Sequence, residues 1–237
     1  MGRPDAKATR DHWDRQAATY DQAKARNDAY YRGLKTLVNR AVEPAFRRRV
    51  LEVGCGTGGV LASLEPESGL GVDISEAMIE KARARFGDAG NLSFEVADAT
   101  GVATRGPFDA VIPADVLEHV PDWSAVARAM VGACRPGGLI VIATPNPAWA
   151  IPLWLLEKVR LKMPEGPHRF VPGRAITALL DREGCAIRHC GTHLLIPADL
   201  AGLGERLSGW AETAPVLRHA GVIQFIVGCK SASAAPL

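Results

Sequence analysis

Short, almost continuously apolar runs recur along the chain, and helix-forming stretches separate them. The runs are "RRVLEVGCG", "GLGVDIS", "LSFEVADAT", "FDAVIPADVLEHV" and "RPGGLIVIATPNP". Each is too short for a core helix and too uniformly apolar for a strand with one wet face, so they read as strands of a parallel sheet covered on both sides. Between them fall the weakly helical "GGVLASLE", a helix "EAMIEKARARFG" with Ser75 as cap and Gly87 as stop, and a helix through "PDWSAVARAMVGAC". Residues 9–43 lack proline and predict one helical region, with Trp13, Ala17 and Tyr20 on a shared face and Pro44 closing it. Proline and tryptophan interrupt the rhythm at 145–175. It resumes with the helix "PGRAITALLDREG", ending at Gly184, and strands near 185–196 and 221–230. Helical or loop material lies between those two strands, and the tail "SASAAPL" reads as frayed. The alternation predicts an α/β fold with helices on both faces of the sheet.

Composition narrows the class without naming a chemistry. The 237 residues are 47% hydrophobic and 23% charged, enough for one substantial α/β core. A net charge of +2 is too mild for a nucleic-acid footprint, and Arg47-Arg48-Arg49 reads as a solvated lead into the first strand. The five cysteines show no metal spacing and read as buried thiols. The polar N-terminus is not a secretory signal, and no run of eighteen apolar residues exists, so the expected location is the cytoplasm.

The first run holds the chemistry. "LEVGCGTGGV" satisfies G-x-G-x-x-G through Gly54, Gly56 and Gly59, and Asp73 follows Gly54 by nineteen positions. A glycine turn and a ribose-binding acid fit NAD and S-adenosylmethionine alike, since both carry an adenosine ribose. Glu52 tips the balance. Its carboxylate at the strand end would repel a pyrophosphate, whereas S-adenosylmethionine brings an ammonium and a sulfonium.

The five runs, in this order and spacing, closely resemble the motif series of class I S-adenosylmethionine-dependent methyltransferases over residues 10–147. Within that family the "LEHV" after the fourth strand looks most like the ubiquinone-biosynthesis O-methyltransferase-like group. The resemblance implies a Rossmann-like fold with a seven-stranded, mostly parallel sheet whose last strand is antiparallel. It implies an N-terminal helical cap (1–44), a cofactor-binding core (45–147), a substrate-lid insert after strand five (148–175) and a C-terminal completion of the sheet (176–237). It implies that Gly54, Cys55, Gly56 and Gly58 line the methionine part of the cofactor, near Glu52. Asp73 would take the ribose hydroxyls, with Ile74 and Met78 beside the adenine. Asp98 would meet the adenine amino group, with Ala99 next to it, while Asp115 and Val116 face the methionine moiety. Tyr20 would close over the cofactor. Met78 as plain core and Tyr20 as helix packing are the structural alternatives.

Methyl transfer from a sulfonium needs alignment and water exclusion first, and a base only for a protonated nucleophile such as a hydroxyl. His119, just beyond the fourth strand, is the first candidate base; bridging loop backbone is its structural alternative. His168 in "MPEGPHRFVP" is the second, as base or substrate contact, against an ordinary exposed histidine. Asp115, Glu118 and His119 would share one face of a helical turn and could bind a divalent metal, although cofactor contact and hydrogen bonding are the simpler reading. His189 and His193 read as structural. In "AWAIPLWLLEKVRLKM" (148–163), nine apolar residues including Trp149 and Trp154 precede Lys158, Arg160 and Lys162. That insert is either a packed or interface helix or a lid over a hydrophobic substrate at a membrane surface. The expected activity is methylation of a small molecule, at oxygen first, by a monomer or homodimer without nucleic acid, yielding S-adenosylhomocysteine. A non-catalytic cofactor-binding subunit and an NAD-dependent oxidoreductase are the rivals.

Overall fold

The computed structural model describes residues 4–158, 166, 168–193 and 221–232. The expectations for 197–220, for Arg160 and Lys162, and for the tail from 233 lie outside the described residues. Seven strands form one sheet: β1 (Arg49–Val53), β2 (Ser68–Asp73), β3 (Leu92–Val96), β4 (Phe108–Pro113), β5 (Cys134–Pro145), β6 (Cys185–His193) and β7 (Ile223–Lys230). Their order is β3-β2-β1-β4-β5-β7-β6. β1 pairs in parallel with both β2 and β4, and β7 runs antiparallel between β5 and β6. The order reverses between β1 and β4, and an open α/β sheet leaves a crevice beyond its carboxyl ends at such a point.

Alternation along each strand divides the core in two. Leu51, Val53, Val111 and Ile140 pack with Val126 and Met130 of α6 (Trp123–Ala133) and with Ile176 and Leu180 of α8 (Gly173–Arg182). Val50, Ala110, Ile112 and Val141 face the other way. They meet Leu34 and Val38 of α3 (Asp28–Ala41), Leu61 of α4 (Gly59–Ser63) and Ile79 of α5 (Glu76–Phe86). Glu52 follows the same alternation as Val50, so an acid enters the second apolar layer. Ser75 caps α5 by accepting from the Met78 N–H. Gly87 caps the end of that helix as expected, with a right-handed φ of −62°; a 3₁₀ turn follows, and Gly90 takes the positive φ.

The single helical region expected at the N-terminus is three helices, α1 (Ala6–Gln16), α2 (Tyr20–Arg26) and α3. Breaks fall at Ala17–Thr19 and at Asn27, whose φ of −116° is not helical. Asparagine and threonine compete for backbone hydrogen bonds and end helices more readily than they continue them. Trp13 still meets Tyr20 edge-on at 5.9 Å across the first break, so the face survives the interruption. Arg47 is not solvated as expected. Its guanidinium donates to the carbonyls of Val42, Asn39 and Leu64, at 2.8, 2.8 and 3.1 Å, and so satisfies the ends of α3 and α4.

The glycine turn distinguishes its members by geometry. Gly54, Gly56 and Gly58 have φ of +68°, +51° and +78°, a region that costs other L residues about 1–2 kcal/mol. A Cβ on Gly58 would also stand 2.7 Å from Phe94, whereas one on Gly59 would make only ordinary contact, 3.6 Å from the Lys35 Nζ. Gly59 is therefore replaceable, and the dinucleotide pattern it completes has no conformational basis. Gly58→Ala is expected to lower unfolding free energy by about 1–3 kcal/mol. Gly59→Ala should leave it unchanged or raise it by about 0.4–1 kcal/mol. Denaturant midpoints of the two variants check this, and equal losses would contradict it.

Candidate active site

A cavity of about 290 Å³ opens beyond the carboxyl ends of β1, β2 and β4, roofed by the helical cap. Its floor is the glycine turn. The Gly54 and Cys55 amides donate to the Val72 carbonyl at 2.7 and 3.0 Å, so the turn is tied to β2. Asp73, at the end of β2, then ties the turn to α5: one oxygen accepts from the Gly56 amide at 2.8 Å, the other from the Ser75 amide at 2.9 Å. Burial pushes the Asp73 carboxyl above its usual range, and these amides oppose the shift. Gly54, Cys55, Gly56, Asp73, Ile74 and Met78 all line the cavity. Gly58 does not line it. It is the left-handed cap of α4 and lies against Phe94 and Phe86, a structural glycine rather than a cofactor contact.

Asp98 and Ala99 beyond β3, and Asp115 and Val116 beyond β4, also line the cavity. Asp98 is exposed and caps a 3₁₀ turn, its Oδ1 accepting from the Thr100 amide and hydroxyl at 2.8 and 2.6 Å. Capping thus explains its presence at a strand end, with Oδ2 left over for a ligand. Asp115 adopts φ +56°, one of the residue types that tolerates the left-handed region, and accepts from the Tyr30 hydroxyl at 2.8 Å. A side chain on Gly54 would collide with Val116, so glycine there lets the β4 loop close down on the turn.

Cap residues complete the wall. The Tyr20 hydroxyl stands over Gly56, where a Cβ would meet it at 3.3 Å. Its phenol is pushed well above its usual range by burial and by the carboxylates of Asp73, Asp115, Glu52 and Asp21, so it stays a neutral donor. The Ser75 hydroxyl donates to Asp14 at 2.6 Å and the Thr57 hydroxyl to Asp21 at 3.1 Å, pinning α1 and α2 over the turn. Trp13, Lys24, Asn27, Tyr30 and Tyr31 line the cavity too. Sequence reasoning missed these five as site residues because the cap follows no motif; only the Trp13–Tyr20 spacing hinted at an inward face.

The two candidate bases separate. His119 is buried in the cavity wall, its ring edge-on to Trp13 at 5.3 Å, and its carbonyl accepts from the Thr9 hydroxyl at 3.1 Å. His168 is also buried, not exposed, but it stands behind His119 at 6.1 Å, outside the lining. Its Nδ1 lies 3.0 Å from the Gly166 carbonyl, which requires a proton on that nitrogen. Glu118 does not share a face with Asp115 and His119. It turns under the loop to accept from the Thr144 hydroxyl at 2.9 Å, a hydrogen-bonding role rather than the alternative of a shared metal set. Among the described residues no three His, Cys, Asp or Glu side chains are grouped to hold a metal. His189 and His193 pack on Phe225 in the last strands, away from the cavity.

A family model described as a methyltransferase domain matches residues 23–190, well over half of the chain. The chain belongs to that methyltransferase family. A curated relative, ubiquinone biosynthesis O-methyltransferase of Idiomarina loihiensis, is 32% identical over 148 residues, which is 57% of this chain and 60% of the relative. The chain thus spans about three-fifths of the length of the curated relatives it matches. Magnesium protoporphyrin IX methyltransferase of Synechocystis, solved with S-adenosylhomocysteine, aligns with a TM-score of 0.69 over 96% of this chain and 100% of its own, at 16% identity. The [4+2]-cyclase SpnF aligns with 0.61 over 85% and 81%, at 17% identity, so the fold alone hosts more than one chemistry.

Within this methyltransferase domain the substrate-side expectations shift. Trp149 and Trp154 do not line the cavity. The residue of α7 (Ala150–Lys158) that does is Leu153, buried at 5%, while Trp154 is 44% exposed with the Lys158 ammonium 5.8 Å from its ring centre. Spacing explains it: Ile151, Trp154 and Leu155 share one helix face and Leu153 falls on another.

Glu52 lines the cavity as expected, but its charge differs from the one expected. It is 2% exposed, and its Oε2 accepts from the Leu61 amide at 2.8 Å. Burial pushes its carboxyl up to about 8, against the pull of the Leu61 hydrogen bond and of Lys24. At neutral pH it is therefore mostly protonated, and the repulsion of a pyrophosphate is weaker than a charged acid would exert. A nearby ammonium would draw out its charge. The raised value means that folded protein holds this proton between pH 4.5 and 8 while unfolded chain releases it, so the contribution to stability is lost as pH rises through that window. Glu52→Gln keeps the acceptor and removes the titration. Its denaturation midpoint should climb relative to wild type from pH 5 to pH 8, by at most about 1.4 kcal/mol per pH unit. Parallel pH profiles would refute the assignment.

Proposed function

We propose that this chain transfers a methyl group from S-adenosylmethionine to a small apolar acceptor, at a hydroxyl oxygen. The observation that carries the reading is one continuous cavity that joins Asp73 and the glycine turn to His119 and Leu153. Residues suited to each half of a two-substrate reaction line it. Asp73, already holding two amides, has lone pairs for ribose hydroxyls. Ile74 and Met78 offer an apolar slot for a base, and Oδ2 of Asp98 accepts from an amino group. The bound cofactor supplies an electrophilic methyl on a neutral leaving thioether. The protein supplies alignment and dryness, which the cap achieves by covering the cavity with Trp13, Tyr20 and Tyr30. His119 takes the hydroxyl proton as the oxygen becomes nucleophilic, and His168 and Trp13 hold its ring. Leu153, Val222 and Ile223 make that end of the wall apolar, which suits a hydrophobic or lipid-linked acceptor.

Asp73→Ala is expected to weaken S-adenosylhomocysteine binding by at least about tenfold in calorimetry, from two lost charge-assisted bonds. His119→Ala should leave that affinity intact and slow methylation of phenolic acceptors by about 10²–10⁴. Wild-type turnover in His119→Ala would remove it as base, and binding of NAD(H) in place of S-adenosylhomocysteine would overturn the cofactor.

The α7 face also supports peripheral contact with an anionic membrane surface. Ile151, Trp154 and Leu155 are 78%, 44% and 55% exposed on one face, with Lys158 beside Trp154. No described helix is long and apolar enough to cross a bilayer, so the contact would be lateral. Wild-type chain should co-sediment with phosphatidylglycerol-containing vesicles and lose this with Ile151→Glu plus Leu155→Glu; equal sedimentation of both would exclude the contact.

A further inference from the structure

Six lysines fall among the described residues, and five of them hold the ammonium against a partner. Lys7 pairs with Asp11 at 3.1 Å and Lys81 with Asp21 at 4.0 Å. Lys24 lies against the Tyr20 and Tyr31 rings and Lys158 against that of Trp154. Lys230 donates to the carbonyls of Val131 and Cys134, both at 2.8 Å. Lys35, on α3, is the exception. Among the described residues no acid, ring or carbonyl holds its ammonium. Its Nζ stands instead over Gly59 at the start of α4, 3.6 Å from the point a Cβ would take. The side chain is half-buried there, neither sealed from solvent nor fully hydrated.

That setting disfavours the charge. Partial burial lowers the Lys35 pKa most, and the charges of Lys24 on α2 and Arg85 on α5 add to it. Asp28 on its own helix and Glu52 on β1 pull the other way, more weakly. A larger share of Lys35 is therefore free amine at a given pH than of a solvated lysine, and the amine is the nucleophilic form. We propose that Lys35 is an acylation site, an unpartnered amine half-buried over Gly59 that takes the acyl group of a small thioester. The nitrogen lone pair attacks the thioester carbonyl; a C–N bond forms and the C–S bond breaks. The sulfur leaves as thiolate and receives the proton that the amine loses, so the products are an amide and a thiol. The amide carries no charge. Lys35 does not line the cavity, but its charge favours the carboxylate of Glu52, which does. Acylation outside the cavity thus keeps an acid in its wall protonated to higher pH.

Two measurements test this, and neither uses a ligand in the cavity, so their outcome is independent of the cofactor reading. Folded chain is treated with limiting S-acetyl-N-acetylcysteamine near neutral pH and mapped by mass spectrometry. Lys35 should be acetylated at least about twofold faster than the exposed Lys7, and the preference should vanish in urea. A rate no higher than that of Lys7, or a preference that persists in urea, overturns the proposal. The second measurement uses Lys35→Gln, which carries a neutral amide as the acylated side chain does, and Lys35→Arg, which keeps the charge. The stability that Glu52→Gln gains over its parent should stop growing at a higher pH in the Lys35→Gln background than in wild type or Lys35→Arg. The same pH in all three backgrounds overturns the coupling to the cavity.

Discussion

Everything at the site depends on the turn that follows β1, where three glycines take positive φ within five residues. The turn can exist only because nothing but backbone occupies its inner side. Val116 presses on Gly54, the Tyr20 hydroxyl on Gly56 and Phe94 on Gly58, so each glycine admits a different neighbour: the β4 loop, the cap and the core beneath β3. Three separate parts of the chain converge on one pentapeptide. Asp73 then locks it, bridging the Gly56 and Ser75 amides and joining the turn to the capped start of α5. The cavity is what remains between these contacts.

That convergence explains which parts of the molecule were legible in the sequence. The central strands β1, β4 and β5 were, because a strand covered on both faces must be apolar at nearly every position; β3, at the sheet edge, is not covered as expected and buries only Phe94. The parallel order and the switch point followed from the family motifs, and the sheet realises them. The cap was less legible. Nothing local in 9–43 forbids a continuous helix, and the breaks at Ala17–Thr19 and Asn27 arise where Tyr20 turns onto Gly56 and Tyr30 reaches Asp115. Tertiary contacts of that kind override a propensity worth only tenths of a kilocalorie per residue.

The candidate site divides along the same line. Residues fixed by backbone geometry divide: Gly54, Gly56 and Asp73 line the cavity, whereas Gly58 caps α4 behind it. Asp98 lines it too, with one oxygen spent on capping its own turn, while Glu118 serves Thr144 and Trp154 faces outward as the smaller Leu153 reaches the cavity. A linear sequence gives the identity of a side chain on a short irregular helix but not its azimuth. The five cap residues Trp13, Lys24, Asn27, Tyr30 and Tyr31 are the extreme case. Trp13 and Lys24 reach the site on α1 and α2, which Asp14 and Asp21 pin to Ser75 and Thr57, and Tyr30 and Tyr31 on α3, which the Tyr30 hydroxyl ties to Asp115.

Glu52 shows why the cap and the turn have to be considered as one electrostatic unit. Read from sequence, it is a carboxylate that repels phosphate; in the fold it is a carboxyl kept mostly neutral by the apolar layer it shares with Val50 and Ile112. The one bond it makes, to the Leu61 amide, does not offset the loss of water. Lys24 acts on it from the cap and Asp73 from β2, with opposite signs. Both reach it because the cap and the turn line one cavity, so a change in either wall shifts the ionisation of an acid buried behind both.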